Sequence, residues 1–184
     1  MKQYILSSFV SKSGGGNKAA VVFDDKGLTE REMLELAKKN NFSETAFIDF
    51  KRSNDNRFVI RYFTPTEEVD ICGHAALASF YVLKQLGYIV GSVSYHKTKA
   101  GELKVLLDNA SILIEMKKPE LVMQLDADTV LRTIDIGRNN IIVGKDGMIS
   151  VISTGLKDII LEVDSLETLK RLNVKREQMI SVCK

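Results

Sequence analysis

The sequence predicts an α+β fold in which a mixed, curved β-sheet wraps around one central, buried helix. Seven strand-like segments lie before residue 117, and a single helix, from about His74 to Leu86, is apolar on nearly all of its sides. A helix of this kind must be surrounded by other elements. A sheet curled around it is therefore favoured over helices layered outside a parallel sheet.

The strand-like segments alternate apolar and polar residues or are continuously apolar, and turn-forming residues bound each of them. They are 3–10, 19–23, 45–50, 57–63, 92–98, 102–107 and 111–116. Asp108 and Asn109 predict a tight turn between the last two. Later in the chain, Lys145-Asp146-Gly147 predicts a hairpin between strands at 140–143 and 148–153.

Two further helices have recognisable start signals. Thr29 and Glu32 have the spacing of a capping box, which predicts a surface helix that ends near Asn41. Asp164 and Glu167 have the same spacing and predict a second helix. Its expected apolar face consists of Leu166, Leu169 and Leu172.

The pattern of elements restarts after residue 117. Residues 1–117 are expected to form a first lobe that contains the central helix. Residues 118–184 contain strand-like and amphipathic segments but no second helix that is apolar on all sides. The sequence therefore predicts a complete first lobe and an incomplete second lobe.

Composition limits the classes of function. With 26 basic and 24 acidic side chains the net charge is +2, which gives no reason to expect a nucleic-acid or membrane partner. Two cysteines do not make a disulfide framework, and no apolar run reaches the roughly 20 residues of a membrane span. A reduced, cytoplasmic location is expected.

The start of the central helix is the first candidate site. Cys72, Gly73 and His74 come just before its apolar residues, where free backbone N–H groups and the helix dipole can bind a carboxylate or phosphate. Gly73 would let an anion approach the backbone, and His74 could add a donor. The alternative is purely structural, with a small buried thiol, a turn glycine and a hydrogen-bonded histidine.

Glu44 is the second candidate, because it lies at the edge of an apolar strand that begins at Thr45. A partly desolvated carboxyl group there suits general acid–base chemistry, although a solvated glutamate at a strand end is the simpler alternative. The glycine-rich segment 13–18 lacks nucleotide-binding spacing and favours a flexible loop. With only His74 and His96 as histidines and no C-x-x-C motif, no metal site is predicted.

Four segments taken in order carry a family resemblance: GGGNKAAVVF, NFSETAFI, RYFTPTEEVDICGHAALAS and ISTGLKDIILEVDSLETL. They resemble the phenazine-biosynthesis PhzF-like isomerase family, which has a diaminopimelate epimerase-like fold. The resemblance implies two similar lobes with the site in the cleft between them. It also implies cofactor-independent isomerisation or epimerisation of a small carboxylated metabolite, in which a carboxyl group removes a proton from carbon and returns it.

The resemblance also implies roles for individual residues. Glu44 matches the proton-shuttling glutamate, while Gly73, His74 and Asn17 match positions that bind substrate. Cys72 matches a catalytic thiol base of the epimerase branch, but His74 follows the isomerase-like pattern. Glu44 is therefore favoured as the base, with Cys72 as a packing residue or an alternative thiol base.

The sequence departs from the family pattern in two places. Lys18 stands where proline is usual, and the second-lobe motif Asp-Pro-x-x-Gly-Ser is not found in the chain. Three possibilities follow: an isomerase that is inactive until the missing half-site is supplied, a non-catalytic binding protein that keeps the fold, or a homodimer that builds the cleft from two chains.

Overall fold

The computed structural model describes residues 1–183, and the chain divides into two compact units, Met1–Met116 and Lys117–Lys184. The first unit contains eight strands and two helices. In chain order these are β1 (Lys2–Ser8), β2 (Asn17–Asp24), α1 (Glu30–Asn40), β3 (Glu44–Asn54), β4 (Arg57–Phe63), β5 (Glu68–Val69), α2 (Gly73–Gln85), β6 (Val93–Thr98), β7 (Gly101–Leu107) and β8 (Ile112–Ile114).

All eight strands form one mixed sheet. Its order is β1-β2-β3-β4-β6-β7-β8, with the short β5 paired to β4. The pairs β2–β3 and β4–β6 are parallel, and α1 and α2 lie in the connections that such pairs require. The remaining pairs are antiparallel, and the last of them turns at Asp108, whose carboxylate accepts the backbone N–H groups of Ala110 and Ser111. The predicted mixed sheet and the predicted turn are thus both present.

The central helix α2 packs against one face of this sheet. Ala75, Ala76, Phe80 and Leu83 are fully buried among inward-facing residues of the strands. The expectation that the helix is covered on all sides needs one correction, because Tyr81 is 50% exposed. This side of α2 lines an open groove of about 510 Å³ beside β1 and residues 109–112. Strands β1 and β8 border the helix there without pairing in the described sheet, which explains the opening.

Helix α1 covers the opposite face of the sheet. Its capping box forms as predicted: the Glu32 N–H donates to Thr29 Oγ1 and the Thr29 N–H donates to the Glu32 carboxylate. Asn41 ends the helix in the left-handed conformation, with φ of 53°. Met33 and Ala37 pack on outward-facing residues of the strands. Strands β2 and β3 are consequently buried on both faces.

A buried histidine lies within the first unit's core. His96 on β6 is fully buried, and its ring packs edge-on against Phe80 at a centroid distance of 5.6 Å. Its Nδ1 is 3.3 Å from the Tyr62 hydroxyl. Burial lowers the pKa of His96 to about 4, because the apolar surroundings disfavour the charged imidazolium.

The second unit is built from short elements around an aliphatic core. These are β9 (Glu120–Asp126), α3 (Ala127–Leu131), a 3₁₀ turn (Arg138–Asn140), β10 (Ile141–Ile142), β11 (Met148–Ser153), β12 (Lys157–Ile159), β13 (Glu162–Val163), α4 (Leu166–Arg171) and α5 (Arg176–Val182). Strands β12, β11 and β9 form one small sheet and β10 and β13 another. Among the described residues of this unit the longest helix, α5, has seven residues.

The hairpin predicted at Lys145-Asp146-Gly147 is wrong. The turn itself forms, with the Gly147 N–H donating to the Gly144 carbonyl at 2.9 Å. The flanking strands do not pair with each other, because β10 pairs with β13 while β11 pairs with β9 and β12. Local turn chemistry reverses the chain direction, but burial of Ile141 and Ile149 in the common core decides the strand partners.

The helix start predicted at Asp164 is also displaced. Ser165 is the N-cap and accepts the Thr168 N–H at 3.1 Å, while Asp164 accepts the side-chain amide of Asn140 at 3.0 Å. Leu166 and Leu169 are exposed. The buried side of this short helix carries Thr168, and Leu172 packs beside the core just after it. Among residues 1–183, no helix combines the length and apolar character that a membrane crossing requires.

Candidate active site

The first turn of α2 is open on its N-terminal side. Cys72 is the N-cap residue in extended conformation, yet its side chain caps no backbone N–H in the described structure, and the first turn carries no acidic residue. The N–H groups of this turn are therefore free of a protein carboxylate. A Cβ added to Gly73 would meet no described atom within 4 Å. The backbone here can be approached closely by an anionic group.

Three strands aim side chains at this helix start. Side chains along a strand alternate between the two faces of a sheet, so residues two positions apart share a face. Ser8, Asn17 and Glu44 each lie two positions from a residue that packs against α2, on β1, β2 and β3 respectively, and therefore face the helix. The register places Ser8 beside Asn17 and Ala19 beside Glu44. All three side chains consequently gather at one end of the sheet, on the side of α2.

The loop before Asn17 is constrained at Gly16. Its φ of +84° favours glycine, and a Cβ there would lie only 2.6 Å from the Ser8 carbonyl oxygen. The backbone of the β1–β2 connection thus passes close to the end of β1, and Asn17 pairs with Ser8. The glycine-rich segment therefore has a structural role at Gly16.

His74 is the centre of the cluster. It is 8% exposed, and its backbone carbonyl accepts the Ser8 hydroxyl at 2.7 Å. Its Nδ1 lies 3.3 Å from Asn17 Nδ2, and Ser43 Oγ donates to Asn17 Oδ1 at 3.1 Å. An amide nitrogen can only donate, so Nδ1 is the acceptor and the ring proton is assigned to Nε2. Ser43 Oγ, 3.3 Å from Nε2, is then placed to accept that proton.

Glu44 lies next to the same ring. Its Oε2 is 3.4 Å from His74 Nε2, and the side chain is 21% exposed. Despite this short distance, Oε2 is buried and accepts no hydrogen bond of good geometry from residues 1–183. A buried, unsatisfied carboxylate oxygen is costly in a folded protein, and such groups are concentrated where a ligand or a proton is to be received.

Cys72 completes the cluster near the other ring nitrogen, with Sγ 3.2 Å from Nδ1. Burial raises the pKa of its thiol to about 12, and the nearby Glu44 charge adds to the effect. The thiol is therefore neutral at physiological pH and a weak base. Cys72 Sγ, a carboxylate oxygen of Glu44 and a ring nitrogen of His74 all lie within 4.8 Å of one another, a donor set that could hold a metal ion.

The structure thus brings together every residue that the sequence singles out for the site, namely Asn17, Glu44, Cys72, Gly73 and His74. Sequence reasoning missed two hydroxyl groups, Ser8 and Ser43. The alternation along β1, in which Tyr4 and Leu6 face the core, would have placed Ser8 on the inner face. Ser43 precedes its strand and gave no such signal.

Comparison with known proteins gives one consistent family. The family model described as phenazine biosynthesis-like protein, PhzC-PhzF, matches residues 6–184. An uncharacterized isomerase of Clostridium acetobutylicum is 34% identical over 92% of this chain, and the uncharacterized isomerase YfhB of Bacillus subtilis is 32% identical over 95%. The crystal structure of a PhzF-family phenazine biosynthesis protein from Bacillus anthracis superposes over 94% of the chain with a TM-score of 0.73 at 28% identity.

These matches confirm the family resemblance and the predicted fold class. The chain spans 58% of the length of the Clostridium relative and 60% of the lengths of the Bacillus subtilis and Bacillus anthracis proteins. What those whole proteins bind or catalyse therefore bears on this chain only as a basis for proposals.

Proposed function

Because the chain belongs to the phenazine biosynthesis-like (PhzC-PhzF) family, whose relatives include isomerases, we propose that it serves a cofactor-independent isomerase or epimerase reaction on a small carboxylated metabolite. The single observation that carries the proposal is Glu44 Oε2, which is buried yet unsatisfied among the described residues at the open end of α2. Its lone pairs are not used by another described residue, so a substrate C–H group could approach them.

The helix start supplies the substrate-binding half of the proposal. A substrate carboxylate would dock at the N–H groups of the first turn of α2, against Gly73, where the helix dipole favours negative charge. The same groups would stabilise enolate-like charge as it develops during proton removal. His74, held by Asn17 and Ser43, has its Nε2 3.4 Å from Glu44 Oε2.

The proposed proton transfer conserves atoms and electrons. Glu44 takes a proton from a carbon next to the unsaturated or carboxylated group, so a C–H bond breaks and a carboxyl O–H bond forms. The electron pair moves into the adjacent π-system of the substrate. The proton then returns from Glu44 to another carbon, or to the opposite face of the same carbon, and the product is an isomer of the substrate.

Incorporation of solvent deuterium into candidate unsaturated or α-chiral carboxylates tests this proposal. The intact protein should label its substrate at one carbon, and Glu44→Gln should lower the labelling rate by roughly 10²–10⁴-fold, as expected for loss of a general base. Glu35→Gln, on the exposed side of α1, is the matched control and should label at the wild-type rate. A Glu44→Gln protein that labels as fast as wild type would overturn the role of Glu44.

Measuring ligand binding beside deuterium labelling distinguishes a catalytic protein from one that only binds carboxylates. A protein that binds carboxylates at α2, as judged by calorimetry, but labels none of them would favour the non-catalytic alternative. Weakened binding in a Gly73→Ala variant would locate that binding at the helix start.

A further inference from the structure

We propose that Glu44, Cys72 and His74 form a binding site for a single thiophilic divalent cation, of which Zn²⁺ is the best match. One donor atom from each residue lies within 4.8 Å of the other two. Cys72 and His74 are buried and Glu44 is mostly so. Metal binding at this site is a different activity from the proton transfer proposed above, although both use the Glu44 carboxylate.

The donor set is the one that zinc prefers. Zn²⁺ binds thiolate, imidazole and carboxylate ligands tetrahedrally, and sites with three protein ligands keep a fourth position for water or another small ligand. Bond lengths of that kind place neighbouring donor atoms about 3.3–3.6 Å apart. One imidazole binds one ion through a single ring nitrogen, and the donor atoms of the three residues lie within 4.8 Å of one another. Cys72 Sγ is 3.2 Å from His74 Nδ1, the nitrogen that carries no proton, so Cys72 already lies at ligand spacing from it. Rotation of the Glu44 side chain toward Nδ1 would complete the three-ligand set.

The surroundings are suited to holding the ligands in place. Ser8 fixes the backbone of His74, and Ser43 Oγ lies 3.3 Å from Nε2, the nitrogen that stays outside the site when an ion replaces the Asn17 contact at Nδ1. Partners of this kind orient a ligating histidine in metal sites. Glu44 Oε2, which accepts no hydrogen bond from any described residue, would gain a partner in the ion. On binding, Cys72 exchanges its S–H bond for an S–metal bond and releases the proton to solvent.

No local sequence pattern indicates this site, because its ligands follow no metal-binding spacing. Cys72 and His74 are separated by a single residue, and the third ligand comes from β3, which reaches α2 only through the fold. Counting histidines and cysteines therefore missed the carboxylate ligand. Where the proposed function holds, an ion at this position occupies the lone pair of the base, so the metal would act as a reversible inhibitor of proton transfer.

Cobalt titration of the intact, reduced and chelator-treated protein tests the site directly. Co²⁺ should bind with 1:1 stoichiometry and give the intense visible bands of tetrahedral coordination together with a thiolate-to-cobalt charge-transfer band, and Zn²⁺ should displace it. Cys72→Ser should remove the charge-transfer band, and Glu44→Gln should weaken binding. Because loss of an outer partner already costs 10–100-fold in affinity, loss of a direct ligand should cost at least about 100-fold.

The second cysteine provides the matched control. Cys183 is an exposed free thiol, so Cys183→Ser should leave the Co²⁺ spectrum and affinity unchanged. Loss of the spectrum in Cys183→Ser but not in Cys72→Ser would overturn the proposal, as would failure of the wild-type protein to bind Co²⁺ or Zn²⁺ at micromolar concentration. Circular dichroism of each variant verifies folding, and His74→Asn gives a second test of the ligand set.

Failure of the metal site and failure of the proposed function give different results. Co²⁺ binding without deuterium labelling would leave the metal site in place and remove the isomerase reaction. Labelling without Co²⁺ binding would do the reverse. When both are observed, Zn²⁺ should abolish labelling, and a chelator should restore it.

Discussion

Glu44 and His74 meet at the open end of the central helix, with Glu44 Oε2 3.4 Å from His74 Nε2. One residue comes from a strand and the other from the first turn of a helix, so their contact depends on the docking of α2 against the sheet. The pair combines a carboxylate that lacks a good hydrogen bond with a ring whose own hydrogen bonds are satisfied. For this reason we propose Glu44, and not His74, as the group that accepts the substrate proton.

The two cysteines should differ strongly in reactivity. Burial raises the pKa of the Cys72 thiol to about 12, so very little reactive thiolate exists near neutral pH, whereas Cys183 is exposed. Timed alkylation with iodoacetamide at pH 8, followed by peptide mass spectrometry, should modify Cys183 first and Cys72 only slowly. Cys72→Ala should also retain deuterium labelling. Equal alkylation rates would return Cys72 to consideration as the base.

Gly73→Ala should separate stability from function. The added methyl group meets no described atom within 4 Å, and alanine favours the helix, so the free energy of unfolding should stay the same or rise by up to about 1 kcal/mol. The methyl group would stand where the substrate carboxylate approaches the backbone, and a misplacement of about 1 Å can slow a reaction 10²-fold. Denaturant unfolding and deuterium labelling measure the two effects.

Gly87→Ala is the matched control for that experiment. Gly87 follows α2 with φ of +74°, a conformation that costs a residue with a Cβ about 1–2 kcal/mol. This variant should lose stability and keep its labelling rate. Identical behaviour of the two variants would show that Gly73 has no special relation to substrate.

The buried His96 should make stability depend on pH. Its pKa falls from 6.5 in the unfolded chain to about 4 in the folded protein, so the unfolded state binds more protons between these values. Stability is therefore fully present above about pH 6.5 and decreases as pH falls towards 4, by up to about 1.4 kcal/mol per pH unit from this residue. Urea unfolding across that range should give a steeper slope for wild type than for His96→Gln. Parallel slopes would show that His96 does not titrate as proposed.

A partly buried ionic cluster on the sheet should contribute measurably to stability. The Glu68 side chain is 4% exposed and lies 2.6 Å from Arg61 and 2.7 Å from Lys99. Glu68→Gln removes the carboxylate closest to Arg61, whose guanidinium is itself only partly exposed. The free energy of unfolding should therefore fall by about 2 kcal/mol. The exposed Arg57–Glu102 pair is the control, and Glu102→Gln should change unfolding very little. Equal effects of the two substitutions would contradict the importance of burial.

Local signals were predicted well from the sequence, and pairings between distant segments were not. The capping box of Thr29 and Glu32 and the turn at Asp108 depend on neighbours within three residues, and both form. The turn before Gly147 also forms, but its strands pair elsewhere because the shared core decides the partners. The cap at Ser165 was placed one residue early because adjacent aspartate and serine residues are both good N-caps.

The candidate site shows the same division. Its main residues were identified from motif resemblance and from the chemistry of a helix start. The roles of Ser8 and Ser43, and the approach of Glu44 and Cys72 to one ring, arise from strand register, which no local pattern contains. The lack of an ordinary metal motif likewise concealed a cluster of three side chains that could hold a metal ion.

The pairing of β2 with β3 determines which insertions and deletions the site can survive. Glu44 faces α2 only because Ala46 and Ile48 do, so removing one residue from β3 ahead of Ile48 would turn the carboxylate toward α1. The segment between β2 and β3, which contains α1, has no such alternation of faces to preserve. Its length can change while Glu44 stays beside Ala19. Related chains that keep the chemistry should therefore vary in length between β2 and β3 and hardly at all within them.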